Sequence, residues 1–169
     1  QEFQSLAIGA YGDNLLNITN AYAAINSNGK LYIPSTLEKI ESFDGELIWE
    51  NKFISKKILD SRINRKINTL LEKSVKEGTS IAASVKGQKI YGKTGTTDGN
   101  KDLWFIGSIN NLTTGIWLGF DNNMPLVNPI TGWSKPDYFY SVKLHVITIC
   151  KCIGPTTSIS NADSFNRNV

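Results

Sequence analysis

The chain has 169 residues, 40% of them hydrophobic and 20% charged, with a net charge of +3. Those values fit one globular domain, and no apolar run approaches the roughly 20 residues a membrane-spanning helix needs. One His (His145) and two Cys (Cys150 and Cys152, two positions apart) exclude a disulfide framework and a convincing zinc site. The expectation is therefore of no metal and no cofactor. Any catalysis must rest on Lys, Ser, Thr, Asp, Glu or backbone groups. The densest basic group, Lys52 to Lys66, is interleaved with Ile58 and Ile63, which reads as a solvated face and not as a nucleic-acid stripe. No basic-then-apolar leader opens the chain, and it starts at Gln1, not Met, the expectation for a fragment or processed product.

In chain order, residues 17–27 predict a helix with Ile18, Ala21, Tyr22 and Ile25 on its buried face, ended by Asn28-Gly29. Leu31 to Ile40 reads as extended. Asp44-Gly45 is a hairpin turn, and Glu46 to Glu50 returns as a second, peripheral strand. Residues 56–77 predict the longest helix, striped by Ile63, Ile67, Leu70, Leu71 and Val75 and closed by Gly78. Three strands follow, Gln88 to Thr96, Leu103 to Asn110 and Thr114 to Phe120, linked by Asn/Gly-rich turns as in an antiparallel meander. Helices segregated from such a sheet predict an α+β fold. Val142 to Ile153 is apolar-rich, and Thr156 to Val169 is Ser/Asn-rich, a composition that predicts disorder.

The segment Gly87-Gln-Lys-Ile-Tyr-Gly-Lys-Thr-Gly-Thr-Thr97 matches two patterns. Gly87 to Thr94 has the spacing of a phosphate-binding P-loop. That loop needs a helix starting at its Lys, whereas here Gly95, Thr96, Thr97, Asp98 and Gly99 follow, a poor helix start. Ile90 and Tyr91 also favour extended backbone. The alternative is Lys93-Thr94-Gly95 on a strand, a triad that accompanies Ser-x-x-Lys and Ser-x-Asn motifs in acyl-transferring serine enzymes. Alternation puts Lys93 and Gly95 on one face and Thr94 and Thr96 on the other, unless the strand bends. An ammonium and hydroxyls at a strand edge suit a carboxylate.

Further blocks stand in order around the triad: Ser5-Leu-Ala-Ile-Gly9, Asn20 to Lys30, Asn100-Lys-Asp-Leu-Trp-Phe-Ile-Gly107, Gly115-Ile-Trp-Leu-Gly-Phe-Asp-Asn122 and Thr131-Gly132. Together they resemble the C-terminal part of the transpeptidase domain of class A penicillin-binding proteins, over roughly residues 3–132. The aromatic strands and the Ala-Tyr-Ala-Ala helix fit those proteins better than the related β-lactamases. The resemblance implies a peptidoglycan D,D-transpeptidase fragment on the extracytoplasmic or periplasmic side of the bacterial inner membrane. Its partners would be a stem peptide ending in D-Ala-D-Ala or a β-lactam. Lys93, Thr94, Gly95 and Thr96 would form the substrate-binding strand, with the Thr96 N–H as one oxyanion donor. Asp102, Trp104 and Trp117 match family positions and read as structural.

The family's nucleophile and Ser-x-Asn motif lie upstream of the triad. Ser27-Asn-Gly-Lys30 is a Ser-x-x-Lys, but it sits at a helix end and not at the start of a buried one. Ser108-Ile-Asn110 and Ser164-Phe-Asn166 follow the triad, in the wrong order. The expectation is a partial transpeptidase domain over 1–132, with no catalytic residue of its own and inactive alone, and a divergent or disordered tail over 133–169. Trp133 stands where the family has a second Gly. Two non-catalytic readings compete: a carboxylate- or peptide-binding module using the same strand, and a P-loop nucleotide binder.

Overall fold

The computed structural model describes residues 11–126 and 143–150. Helix α1 (Leu15–Asn26) is capped by Asn14, whose side chain accepts from the Asn17 N–H at 2.8 Å. It ends at Asn28 (φ 56°) and Gly29 (φ 79°), the left-handed stop that the sequence predicts. Two short ribbons follow. Strand β1 (Lys30–Tyr32) pairs with β4 (Ser55–Lys57), and between them β2 (Lys39–Glu41) pairs with β3 (Leu47–Glu50) around the Asp44-Gly45 turn. The long extended run expected from Leu31 is thus broken at residues 33–38, where the Ser35 hydroxyl accepts from the Leu37 N–H.

Helix α2 (Ser61–Glu77) starts five residues later than the sequence suggests. Ser55–Lys57 is spent on β4, and Asp60, whose carboxylate accepts from the Arg62 N–H at 2.8 Å, fixes the start. A 3-10 turn (Ile81–Ala83) leads into the main sheet. Its strands are β5 (Ile90–Thr96), β6 (Asp102–Ile109), β7 (Leu112–Gly119) and β8 (Lys143–Cys150), all antiparallel and in the order β5-β6-β7-β8. The apolar stretch after residue 142 therefore supplies the fourth strand. Two helices on antiparallel sheets give the α+β class expected. Ser5 to Gly9, Thr131-Gly132, Trp133, Cys152 and Ser164 lie outside the described residues.

The register fixes which residues share a face. Trp104 opposes Trp117, Ile106 opposes Gly115 and Ser108 opposes Thr113. That face receives α1: a Cβ on Gly115 would overlap the Thr19 hydroxyl and stand 3.0 Å from Leu15 Cδ1. The buried stripe of α1 is Leu15, Thr19, Ala23 and Ala24, while Ala21 is exposed, a displacement from the apolar positions expected. Small residues win because the helix approaches a glycine. Thr19 is tolerated because its hydroxyl donates to Leu15 O at 2.7 Å.

Helix α2 packs on the opposite face, where a Cβ on Gly92 would meet Phe105 and Val75 Cγ2 at 3.1 Å. Its buried positions are Asn64 and Val75, and Ile63 and Leu70 of the predicted stripe are exposed. The cause is a polar tie: Asn64 Nδ2 donates to Ile25 O at 3.0 Å and fixes α2 against the end of α1. At the same end, Asn26 Nδ2 donates to Asn110 O at 3.1 Å in the β6–β7 turn.

Candidate functional site

Among the described residues, strand β5 is an edge of the sheet, so one row of its backbone groups has no strand partner there. Which row follows from two bonds. The Thr97 N–H donates inward to Asp102 O, whereas the Thr94 N–H donates outward to Ser80 Oγ at 3.1 Å. Alternation then turns the N–H and C=O groups of Gly92, Thr94 and Thr96 to the open edge, and those of Lys93 and Gly95 to β6. No helix starts at Lys93-Thr94, which lie mid-strand, so the phosphate cradle of a P-loop is not formed.

The four residues named from the sequence are distributed as follows. Lys93 and Thr96 are exposed, and Thr94 and Gly95 are half-buried. Lys93 leaves β5 on the face of Gly95, but its long stem returns over the edge. Its Nζ donates to Thr94 O at 2.8 Å and to Thr79 Oγ1 at 3.4 Å. The Thr94 hydroxyl donates to the same Thr79 Oγ1 at 2.9 Å. The two faces that alternation separates are thus joined at the edge by Thr79, which sequence reasoning missed along with Ser80. Neither carries a local signal: they lie 14 and 15 residues before the groups they touch, and only folding α2 back onto β5 brings them there. Gly95 opposes Trp104, and a Cβ there would stand 3.3 Å from Trp104 Cβ, so its smallness serves packing as well as access.

Among the described residues no carboxylate pairs with Lys93. The neighbouring cation differs: Lys89 pairs with Glu72 at 3.2 Å, and Lys76 pairs with the same carboxylate at 2.7 Å. Hydrogen bonding to Lys76, then to Lys89, holds the Glu72 carboxyl below its usual range, and Glu72 in turn raises the Lys89 ammonium. Lys76 and Lys89 thus share the one Glu72 carboxylate, whereas Lys93 contacts only neutral oxygens.

The turn after β5 is tied by Asp102. Its Oδ1 accepts from Trp117 Nε1 and its Oδ2 from Thr97 Oγ1, both at 2.9 Å. With both oxygens spent, it fits the structural reading given to it with Trp104 and Trp117. His145 on β8 meets the Trp117 ring edge-on at 5.3 Å. Asp102, Trp104, Trp117 and His145, with Asp13, Asn14 and Leu15, line an open cleft of about 360 Å³. Ser27 is buried at the end of α1, and Ser108 is buried with its hydroxyl 2.9 Å from Thr113 Oγ1, so neither is presented as a nucleophile. No group of three or more His, Cys, Asp or Glu among the described residues is placed to hold a metal. None of the described helices is long and apolar enough to cross a membrane.

Residues 1–115 match the penicillin binding protein transpeptidase domain. The chain is 34% identical over 130 residues to penicillin-binding protein 1A of Aquifex aeolicus, covering 77% of this chain and 18% of that protein. It is 31% identical over 151 residues to penicillin-binding protein 1A of Rickettsia typhi, covering 76% and 19%. The chain therefore spans about a fifth of these relatives. The fold is similar to that of PonA1 from Mycobacterium tuberculosis in complex with penicillin V, with a TM-score of 0.64 at 22% identity, covering 78% of this chain and 36% of that one. With well over half its length matched, the chain belongs to the penicillin-binding protein transpeptidase family.

Proposed function

We propose that this chain is the carboxylate-binding part of a peptidoglycan D,D-transpeptidase. In this reading, β5 holds the terminal carboxylate of a D-Ala-D-Ala stem peptide or of a β-lactam. The observation that carries it is the Lys93 ammonium, paired with no carboxylate among the described residues and held at a strand edge by the Thr94 carbonyl and the Thr79 hydroxyl. Charge-assisted hydrogen bonds of this kind are short and about twice as strong as neutral ones. The outward Thr96 N–H, two residues along, supplies one oxyanion donor, a group typically worth about 3–4 kcal/mol in acyl transfer. The acylated Ser and its base come from outside these 169 residues, because the Ser-x-x-Lys and Ser-x-Asn matches inside them are buried or follow the triad. The penicillin V complex of the PonA1 relative supports the ligand class. Family membership supports a place on the extracytoplasmic face of the bacterial membrane.

The test is a titration of the chain with N-acetyl-D-Ala-D-Ala, followed by amide NMR. Saturable, reversible shifts centred on Lys93 to Thr96 are expected. Lys93→Ala should weaken binding by about tenfold or more, since a hydrogen bond to a charged group is worth about 1.5–3 kcal/mol. Fluorescent penicillin should leave no covalent adduct. A labelled serine in this chain, or peptide binding indifferent to Lys93→Ala, would overturn the reading.

A further inference from the structure

The edge of β5 is completed by two residues that belong to none of the motifs. Ser80 is 2% exposed, and its Oγ accepts the outward Thr94 N–H at 3.1 Å. It is itself held by Ser74, through a hydroxyl contact of 3.1 Å and a bond from the Ser80 N–H to Ser74 O at 3.1 Å. Thr79 is exposed beside it. Its Oγ1 accepts from Lys93 Nζ and from the Thr94 hydroxyl. A hydroxyl has two acceptor lone pairs and one proton. Both Thr79 lone pairs are taken, so its proton is left to donate. The Thr94 proton is spent on Thr79. The hydroxyl hydrogen left uncommitted beside Lys93 is therefore that of Thr79 and not that of the triad threonine.

We infer that Thr79 contacts the ligand carboxylate as a hydroxyl donor beside Lys93, and that Ser80 is a positioning residue. By occupying the Thr94 N–H, Ser80 denies that group to a ligand backbone and leaves the next outward N–H to Thr96, one residue past the triad. It thereby sets the register in which an extended ligand meets the strand. Ser74 fixes Ser80 from inside α2, so the packing of that helix on Gly92 is transmitted to the site through hydroxyl groups. The Thr79 part rests on the carboxylate-binding reading above. The Ser80 part does not.

The test uses the whole chain with N-acetyl-D-Ala-D-Ala and its C-terminal amide as probes. Thr79→Val, which keeps the shape and removes the hydroxyl, should weaken the free-carboxylate peptide by about tenfold. Thr79→Ser should restore most of that loss, and the amide should bind weakly to every variant. Separately, Ser80→Ala should speed hydrogen exchange of the Thr94 amide by at least about tenfold without changing the Lys93 and Gly95 amides, which bond to β6. Wild-type affinity in Thr79→Val with binding lost in Lys93→Ala would overturn the Thr79 role and leave the proposed function standing. Absence of binding by the wild-type chain would overturn both. Unchanged Thr94 exchange in Ser80→Ala would overturn the Ser80 role whatever the ligand does. If Ser80→Ala fails to fold, Ser74→Ala must show the same acceleration in smaller degree, and its absence would be equally decisive.

Discussion

The four-stranded sheet and the ribbons that precede it are built from similar residues and reach opposite ends. Strands β6 and β7 pair through all eight of their residues, and helices approach both faces where glycines leave room. The β2–β3 hairpin has comparable apolar content but no partner layer among the described residues: Ile40, Leu47, Ile48 and Trp49 are all exposed, and Phe43 at its turn is fully so. A lone two-stranded hairpin is marginal in water because its side chains have nothing to pack against. The difference lies in the second layer and not in strand propensity. The edge proposed to bind a carboxylate sits on the packed block, where α2 and the residues after it hold Lys93, Thr79 and Thr94 in one place. A binding strand on the ribbons would have no such support.

The largest effect should come from filling the closest approach in the packed block. Gly115→Val places a branched side chain where Thr19 and Leu15 of α1 already lie. Overpacking of this kind costs typically about 1–3 kcal/mol and sometimes more. The urea midpoint should fall accordingly. Combining Gly115→Ala with Thr19→Ala should recover part of the loss of Gly115→Ala alone, because residues in contact do not add independently. A neutral Gly115→Val would mean that α1 is not docked there. Next in size is Asp102→Ala, which strands the Trp117 Nε1–H and the Thr97 hydroxyl together. It should cost about 1–3 kcal/mol and disturb the amides of the 97–102 turn.

The contrast between the two regions also explains what could be read from the chain itself. The meander was legible because each strand is bounded by turn residues, and Gly99, Asn100 and Asn110 do adopt positive φ. The Lys93-Thr94-Gly95-Thr96 strand was legible as a motif within a run of family-like blocks. Faces were less legible. The stripes predicted for α1 and α2 counted apolar side chains, whereas the contacts were decided by Gly115 and by the Asn64 tie to Ile25 O. The start of α2 was misread because the Lys- and Ile-rich stretch before Asp60 suits a helix face as well as a ribbon. Thr79 and Ser80 were invisible, since a hydroxyl acquires a role only from what the fold sets beside it.

A smaller effect should appear on acidification, again confined to the packed block. Asp60 caps α2, and its bond from the Arg62 N–H lowers its carboxyl in the folded state. Glu72 is lowered by Lys76 and then Lys89. For a depressed carboxyl the unfolded chain binds more protons, so the stabilisation is present above the unfolded value, about pH 4, and is lost as pH falls through the folded one. Urea midpoints should therefore drop below about pH 4. Asp60→Asn, which still caps, combined with Glu72→Gln should flatten that dependence. An unchanged slope in the double variant would assign the acid sensitivity elsewhere.

The smallest effect should be in the ribbons. Phe43 stands wholly in solvent beside the Asp44-Gly45 turn, so Phe43→Ser removes no buried area. Substitutions at such positions usually stay within about 0.5 kcal/mol. The urea midpoint should not move, and the amide spectrum of β5 to β7 should be that of the wild type. A loss of more than about 1 kcal/mol would mean that the hairpin is packed against another surface in solution. The contrast between a supported sheet and an unsupported arm would then fail at its weaker end.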